Sequence, residues 1–210
     1  MYENEHELGE AFEECLPKFN LERKDIFITT KLNTTSQGSK VPKAIENSLT
    51  KLKTAYIDLY LIHFPGVSGL SPSDPKNKEL RTESWKHLER YCKSGKLKSI
   101  GVSNYTRRHL EQLLDVCEIV PAVNQVEFNP YCYQDELLEY CKSKSIALEA
   151  YSPHRWAIQH GVIVIPKSQN PGHIASNINV FDFEIDEKDM KRIDGLNKNL
   201  RLDWDPSHIA

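Results

Sequence analysis

Short runs of β-branched and apolar residues alternate along this chain with amphipathic helical stretches, and no other feature restricts its fold so strongly. The runs lie at 26–30, 57–62, 99–102, 123–126, 146–151 and 162–165. Their near-continuous apolar character suits strands covered on both faces. Helical patterns lie at 4–15, 41–52, 82–93, 106–117, 134–144 and 187–196. Pro42 in the first turn of the second and Gly95 just after the third are helix start and stop signals. Repeated strand–helix units predict a parallel sheet. Six such strands in series favour a (β/α) barrel over an open doubly wound sheet. No Gly-x-Gly-x-x-Gly follows a strand, which argues against a Rossmann domain.

In a barrel of this kind, chemistry gathers at the strand ends. Here those ends carry Lys31, His63, Ser103-Asn104, Gln125, Tyr151-Ser152 and Lys167-Ser168. Tyr2 reads as a residue of a loop that follows a strand. Tyrosine, lysine and histidine at one site can give a proton to a carbonyl oxygen at neutral pH, because a nearby ammonium lowers the phenol pKa from about 10 toward the working range. Residues 66–78, rich in Pro, Gly and Ser, are expected to form a surface loop over one mouth of the sheet.

Two counts depart from a complete barrel. Eight strands are needed and six are found, so the missing pair belongs upstream. A crossover between parallel strands takes about a dozen residues or more, and only ten, 152–161, separate Tyr151 from Val162. Arg155 to His160 has the pattern of the last turns of a longer helix, so a segment is missing near Pro153-His154.

The remaining composition narrows the function classes. A net charge of −3 gives no bias toward nucleic acid or an anionic membrane. No apolar run approaches a membrane span, and Met1 to Glu7 is too acidic for a signal peptide. Five cysteines without a Cys-x-x-Cys pair read as reduced thiols of a cytoplasmic protein. Gly101-Val102-Ser103-Asn104-Tyr105 lacks the second glycine of a nucleophile elbow. His6-Glu7 has Glu10 where a zinc-binding helix needs its second histidine, and no metal site is expected.

Seven segments together resemble the aldo-keto reductase family. They are Tyr2-Glu3-Asn4-Glu5, Thr30-Lys31-Leu32, Leu61-Ile62-His63-Phe64-Pro65, Gly101-Val102-Ser103-Asn104, Asn124-Gln125-Val126-Glu127, Tyr151-Ser152-Pro153 and Ile165-Pro166-Lys167-Ser168. They stand in the family's order and cover nearly the whole chain. The resemblance implies an α/β fold, a (β/α)8 TIM barrel forming one domain over 1–210. That barrel is incomplete, without its first two strands and most of the helix before the last strand. It implies reduction of aldehydes and ketones by hydride transfer from NADPH, in a monomer whose partner is a small carbonyl compound.

By the same resemblance, Tyr2 is the general acid, Lys31 its tuning partner, and His63 the group that orients the carbonyl. Ser103, Asn104 and Gln125 meet the nicotinamide carboxamide, and Tyr151 stacks on its ring. Ser152 and Pro166 complete the cofactor contacts, Lys167 and Ser168 meet the adenosine 2′-phosphate, and Asn177 the adenine. Glu127 reads as a structural polar residue. His173 stands where the family usually has an arginine on that phosphate. A mostly neutral imidazole without the guanidinium fork weakens the preference for NADPH and leaves Lys167 most of the task. An aspartate that pairs with the lysine in the family is absent. An alternative expectation is a catalytically impaired member, a splice form or pseudoenzyme acting as a binding protein.

Overall fold

The structure, a computed structural model, describes residues 3–151 and 155–210. Tyr2 and Ser152, both expected site residues, lie outside the described residues. Strands β1 (Thr29–Leu32), β2 (Ile57–Ile62), β3 (Leu97–Ser103), β4 (Val123–Glu127), β5 (Ala147–Tyr151) and β6 (Ile163–Val164) pair in chain order, every pair parallel. Helices α1 (Glu5–Lys18), α2 (Val41–Lys51), α3 (Lys76–Lys93), α4 (Arg107–Leu114), α5 (Asp135–Ser143), α6 (Arg155–Gln159), α7 (Pro171–Ser176) and α8 (Glu187–Asp194) complete the frame. Among the described residues β1 and β6 do not pair with each other, so the sheet spans six positions of a barrel and stays open.

The period-2 alternation of each strand sorts its side chains onto two faces. One face carries Leu32, Tyr60, Ile62, Val102, Val126 and Leu148, packed against Val41, Ile45, Trp85, Leu88, Leu110 and Leu138 of the helices. The other face looks into the barrel. Its lower level is the apolar trio Leu59, Leu61 and Val123, with Ala147 beside it. Gly101 sits at this level because a side chain would not fit. A Cβ there would lie 2.6 Å from the Val123 carbonyl oxygen and 2.7 Å from Leu61 Cδ2. Above the apolar level the same face turns polar.

Two expected boundaries need correction. β1 begins at Thr29 rather than 26. Before it, Arg23–Asp25 forms a 3-10 turn. Asp58 Oδ2 accepts from the Ile28 N–H at 2.9 Å and from Arg23 Nη2 at 2.6 Å, so a side chain takes the place of a ladder bond. α3 begins at Lys76 rather than 82, and the surface loop is correspondingly shorter. Asp74 Oδ1 accepts from the Lys76 N–H at 2.9 Å, and the carboxylate starts the helix through residues with no apolar period.

The crossover from β5 to β6 is short, as expected. α6 has five residues where α3 has eighteen. Its Trp156 stacks on Phe128 at 5.1 Å between ring centroids and donates from Nε1 to Asp194 Oδ1 of α8 at 2.7 Å. None of the helices among the described residues is long and apolar enough to cross a membrane.

Candidate active site

β1 and β2 set the first two functional side chains. Lys31 pairs in register with Leu61, and His63 follows two residues later on the same face, its N–H bonded to the Leu32 carbonyl at 3.3 Å. Burial lowers the Lys31 pKa below the ordinary lysine value, and the charge of Glu149 pushes it back up. His63, 7% exposed, is pushed down to about 4, first by burial and then by the Lys31 charge beside it. The imidazole is therefore neutral at pH 7 and can offer an N–H without carrying a proton to give away.

The ends of β3, β4 and β5 supply the next group. Asn104 has φ of +61°, the left-handed conformation that asparagine tolerates better than most residues. That turn aims its amide back across the mouth. Nδ2 donates to the His63 carbonyl at 3.0 Å and to Ser103 Oγ at 3.2 Å, while Oδ1 accepts from the Tyr151 hydroxyl at 2.9 Å. The Asn104 N–H is bonded to the Gln125 carbonyl at 2.8 Å. Ser103 and Gln125 are register partners, and so are Gln125 and Glu149. Gln125 Nε2 donates to Glu149 Oε1. Burial raises the Tyr151 hydroxyl, so it is a neutral donor at pH 7.

The structure thus brings Lys31, His63, Ser103, Asn104, Gln125 and Tyr151 together on one mouth. Glu127 has the structural role expected of it. Its carboxylate accepts from the Leu202 N–H at 3.0 Å and the Asp203 N–H at 3.2 Å, holding the C-terminal segment over the strand ends. The remaining expected cofactor residues form a separate segment after β6. Lys167 is exposed, while Pro166 and Ser168 are half-buried. Ser168 Oγ accepts from the Asn170 N–H at 3.0 Å, and Asn170 in turn caps α7. His173 lies exposed in that helix and Asn177 is its C-cap. Among the described residues no hydrogen bond joins this segment to the strand-end cluster.

Two residues at the mouth escaped the sequence reading as members of the site. Trp204 lies 5.0 Å from the His63 ring and 5.5 Å from Phe64, between ring centroids, and closes one side of the cluster. Its approach depends on a tail clamped far from it in sequence. Arg81 Nη1 donates to the Ala210 carbonyl at 2.5 Å, and the buried His109 meets the Ile209 carbonyl at 3.0 Å. Glu149 did leave a signal. It stands two residues before Tyr151, hence on the same face of the strand.

Comparison with known proteins agrees with this fold. The profile of the Aldo/keto reductase family matches residues 1–153 and 154–198, and its break falls inside the short β5–β6 crossover. The chain is 41% identical to the uncharacterized oxidoreductase YtbE of Bacillus subtilis, over all of this chain and 81% of that protein. It is 38% identical to the glyoxal reductase of the same organism, over all of this chain and 80% of that protein. Both alignments run over 237 positions against the 210 residues of this chain, so at least 27 positions have no counterpart here. Among solved structures, the Bombyx mori aldo-keto reductase in complex with NADP superposes with a TM-score of 0.86 at 31% identity, over 95% of this chain and 77% of that one. The ordered motifs, the parallel topology and a profile match that runs from residue 1 to 198 agree, and the chain belongs to the aldo-keto reductase family.

Proposed function

We propose that this chain reduces aldehydes and ketones to alcohols with NADPH, with Tyr2 as the proton donor. The observation that carries the reading is the side-by-side placement of Lys31 and His63 at the ends of β1 and β2. The neutral His63 hydrogen-bonds the substrate carbonyl and aims it, and its low pKa excludes it as the acid. The proton then comes from a phenol lowered by the Lys31 ammonium, the role that Tyr2 fills.

The donor set at the mouth fits the cofactor. Ser103 Oγ, the Asn104 amide and Gln125 Oε1 are matched to a carboxamide, which both donates and accepts. Tyr151 offers a flat face for the nicotinamide ring, and Ser152 follows it. Pro166, Lys167, Ser168 and Asn177 would hold the adenosine end. Lys167 is the cation there, and His173 adds little at neutral pH. When bound, the reduced nicotinamide supplies the hydride.

The open sheet and the short crossover favour a second reading, a member that holds NADPH but turns over slowly or not at all. The two separate in one assay of NADPH oxidation with an aromatic aldehyde, run beside a fluorescence titration of NADPH binding. The reductase reading expects turnover that falls at least about 100-fold in Tyr2→Phe with NADPH affinity kept. Binding without any turnover would favour the second reading, and turnover indifferent to Tyr2→Phe would remove the assigned acid.

A further inference from the structure

We propose that Glu5 is a positioning residue for the proton donor: its carboxylate, bonded to Thr30 on β1, fixes the first turn of α1 next to Lys31 and so keeps the Tyr2 phenol within reach of the ammonium. The inference rests on the reading of Tyr2 as the donor and Lys31 as its partner.

Glu5 opens α1, and its Oε1 accepts from Thr30 Oγ1 at 2.7 Å, across 25 residues of sequence. Both side chains are partly buried, where a hydrogen bond to an ionised acceptor is among the stronger kinds. Thr30 pairs in register with Tyr60 and belongs to the helix-facing side of the sheet, while Lys31 pairs with Leu61 on the inward side. The bond therefore attaches the start of α1 one residue away from the ammonium. The rest of the helix is held elsewhere. Phe12 packs on the core, Gly9 abuts the Lys51 carbonyl, and Glu13 pairs with Lys53 past the end of α2. Those contacts set where α1 lies, and the Glu5 bond sets where its first turn meets β1.

Covalent geometry carries this hold to the donor. Tyr2 stands three residues before Glu5, and three fully extended residues span at most about 11 Å. Of the two residues between, Glu3 takes φ of +54°. A residue with a Cβ is uncommon in that left-handed conformation, which persists only where its surroundings hold it. β1 is the first strand of the described sheet, so the chain running back from Glu5 has a path around that edge to the inward face. An anchor at Glu5 thus limits how far the phenol strays from Lys31.

The test is NMR of the whole chain, read for nuclear Overhauser contacts between the Tyr2 ring and Lys31 Hε, with signals assigned by Tyr2→Phe and Lys31→Arg. The contact is expected in the parent and lost in Glu5→Ala and in Thr30→Val. Glu5→Gln is expected to keep it, because the amide oxygen still accepts from Thr30. Alongside, kcat for an aromatic aldehyde is expected to fall at least about 10-fold in Glu5→Ala and in Thr30→Val, with the KM for NADPH kept, and to recover in Glu5→Gln. A contact that survives Glu5→Ala overturns the inference. So does a loss in Glu5→Gln equal to that in Glu5→Ala, since a charge at the helix end, not the bond, would then be the cause. If Glu5→Ala does not fold, a contact that survives Thr30→Val overturns it. The contact needs neither cofactor nor turnover. A parent that shows it but never oxidises NADPH loses the reductase reading and keeps the anchor. A parent that turns over with the contact unmoved by these variants does the reverse, and a parent without the contact loses both the pairing of Tyr2 with Lys31 and the anchor.

Discussion

Lys31 and His63 stand on neighbouring strands, and burial pushes both toward their neutral forms. His109 shows the same effect away from the site. Its ring is fully buried, Nε2 faces the Ile209 carbonyl at 3.0 Å, and Nδ1 accepts from the Thr106 N–H at 3.2 Å. A carbonyl only accepts, so the proton sits on Nε2 and the ring is neutral. Burial takes its pKa down to about 4. As pH falls below about 6.5 the unfolded chain gains a proton that the folded chain refuses, so the unfolded state is favoured until the folded value is reached. Urea unfolding at pH 7 and pH 4.5 is expected to show a loss of about 2 kcal/mol from His109, with the same sign from His63. A stability flat across that range would contradict the neutral assignment. Lys31, His63, Asn104, Gln125 and Tyr151 were legible because strand ends are where such a sheet gathers polar groups. Trp204 was not, since an aperiodic tail takes its place from contacts with Arg81 and His109, far away in sequence.

Elements were legible where apolar period governs and less so where a polar side chain does. β2 was read at its observed bounds. β1 was misplaced because Asp58 and Arg23, more than thirty residues apart, occupy the backbone groups ahead of it. α3 was read six residues late because Asp74 and Asn77 organise its start. Asn77 folds back to accept from the Val67 N–H at 2.9 Å and to donate to the Ser71 carbonyl at 2.9 Å. α1 comes close to the C-terminal end of α2 at Gly9. A Cβ on Gly9 would lie 2.1 Å from the Lys51 carbonyl oxygen, and backbone cannot yield as a side chain tip can. Gly9→Ala is expected to destabilise the chain by about 1–3 kcal/mol, even though alanine is the better helix former. A thermal or urea midpoint equal to that of the parent would show that the two helices part without cost.

At the scale of the molecule, the parallel order of the strands, the open barrel and the abbreviated β5–β6 crossover all follow from the spacing of strand and helix patterns. What spacing could not convey is how the last third of the chain closes against the sheet. α6 and α8 meet through Trp156, His160 and Asp194, with Asp194 Oδ1 accepting from Trp156 at 2.7 Å and lying 2.9 Å from His160 Nε2. Those bonds secure the outer side of β5 and β6 while Phe181 and Leu202 remain exposed. Glu127 and the Arg81–His109 clamp carry the tail across the mouth to His63. The candidate site is thus assembled from strands β1 to β5 and a tail. The most direct measurement is transfer of label from NADPH deuterated at C4 to an aromatic aldehyde, read by mass spectrometry of the alcohol. The account predicts one deuterium on the carbinol carbon with the parent chain and almost none with Tyr2→Phe. No transfer by the parent chain, or equal transfer by Tyr2→Phe, would contradict it.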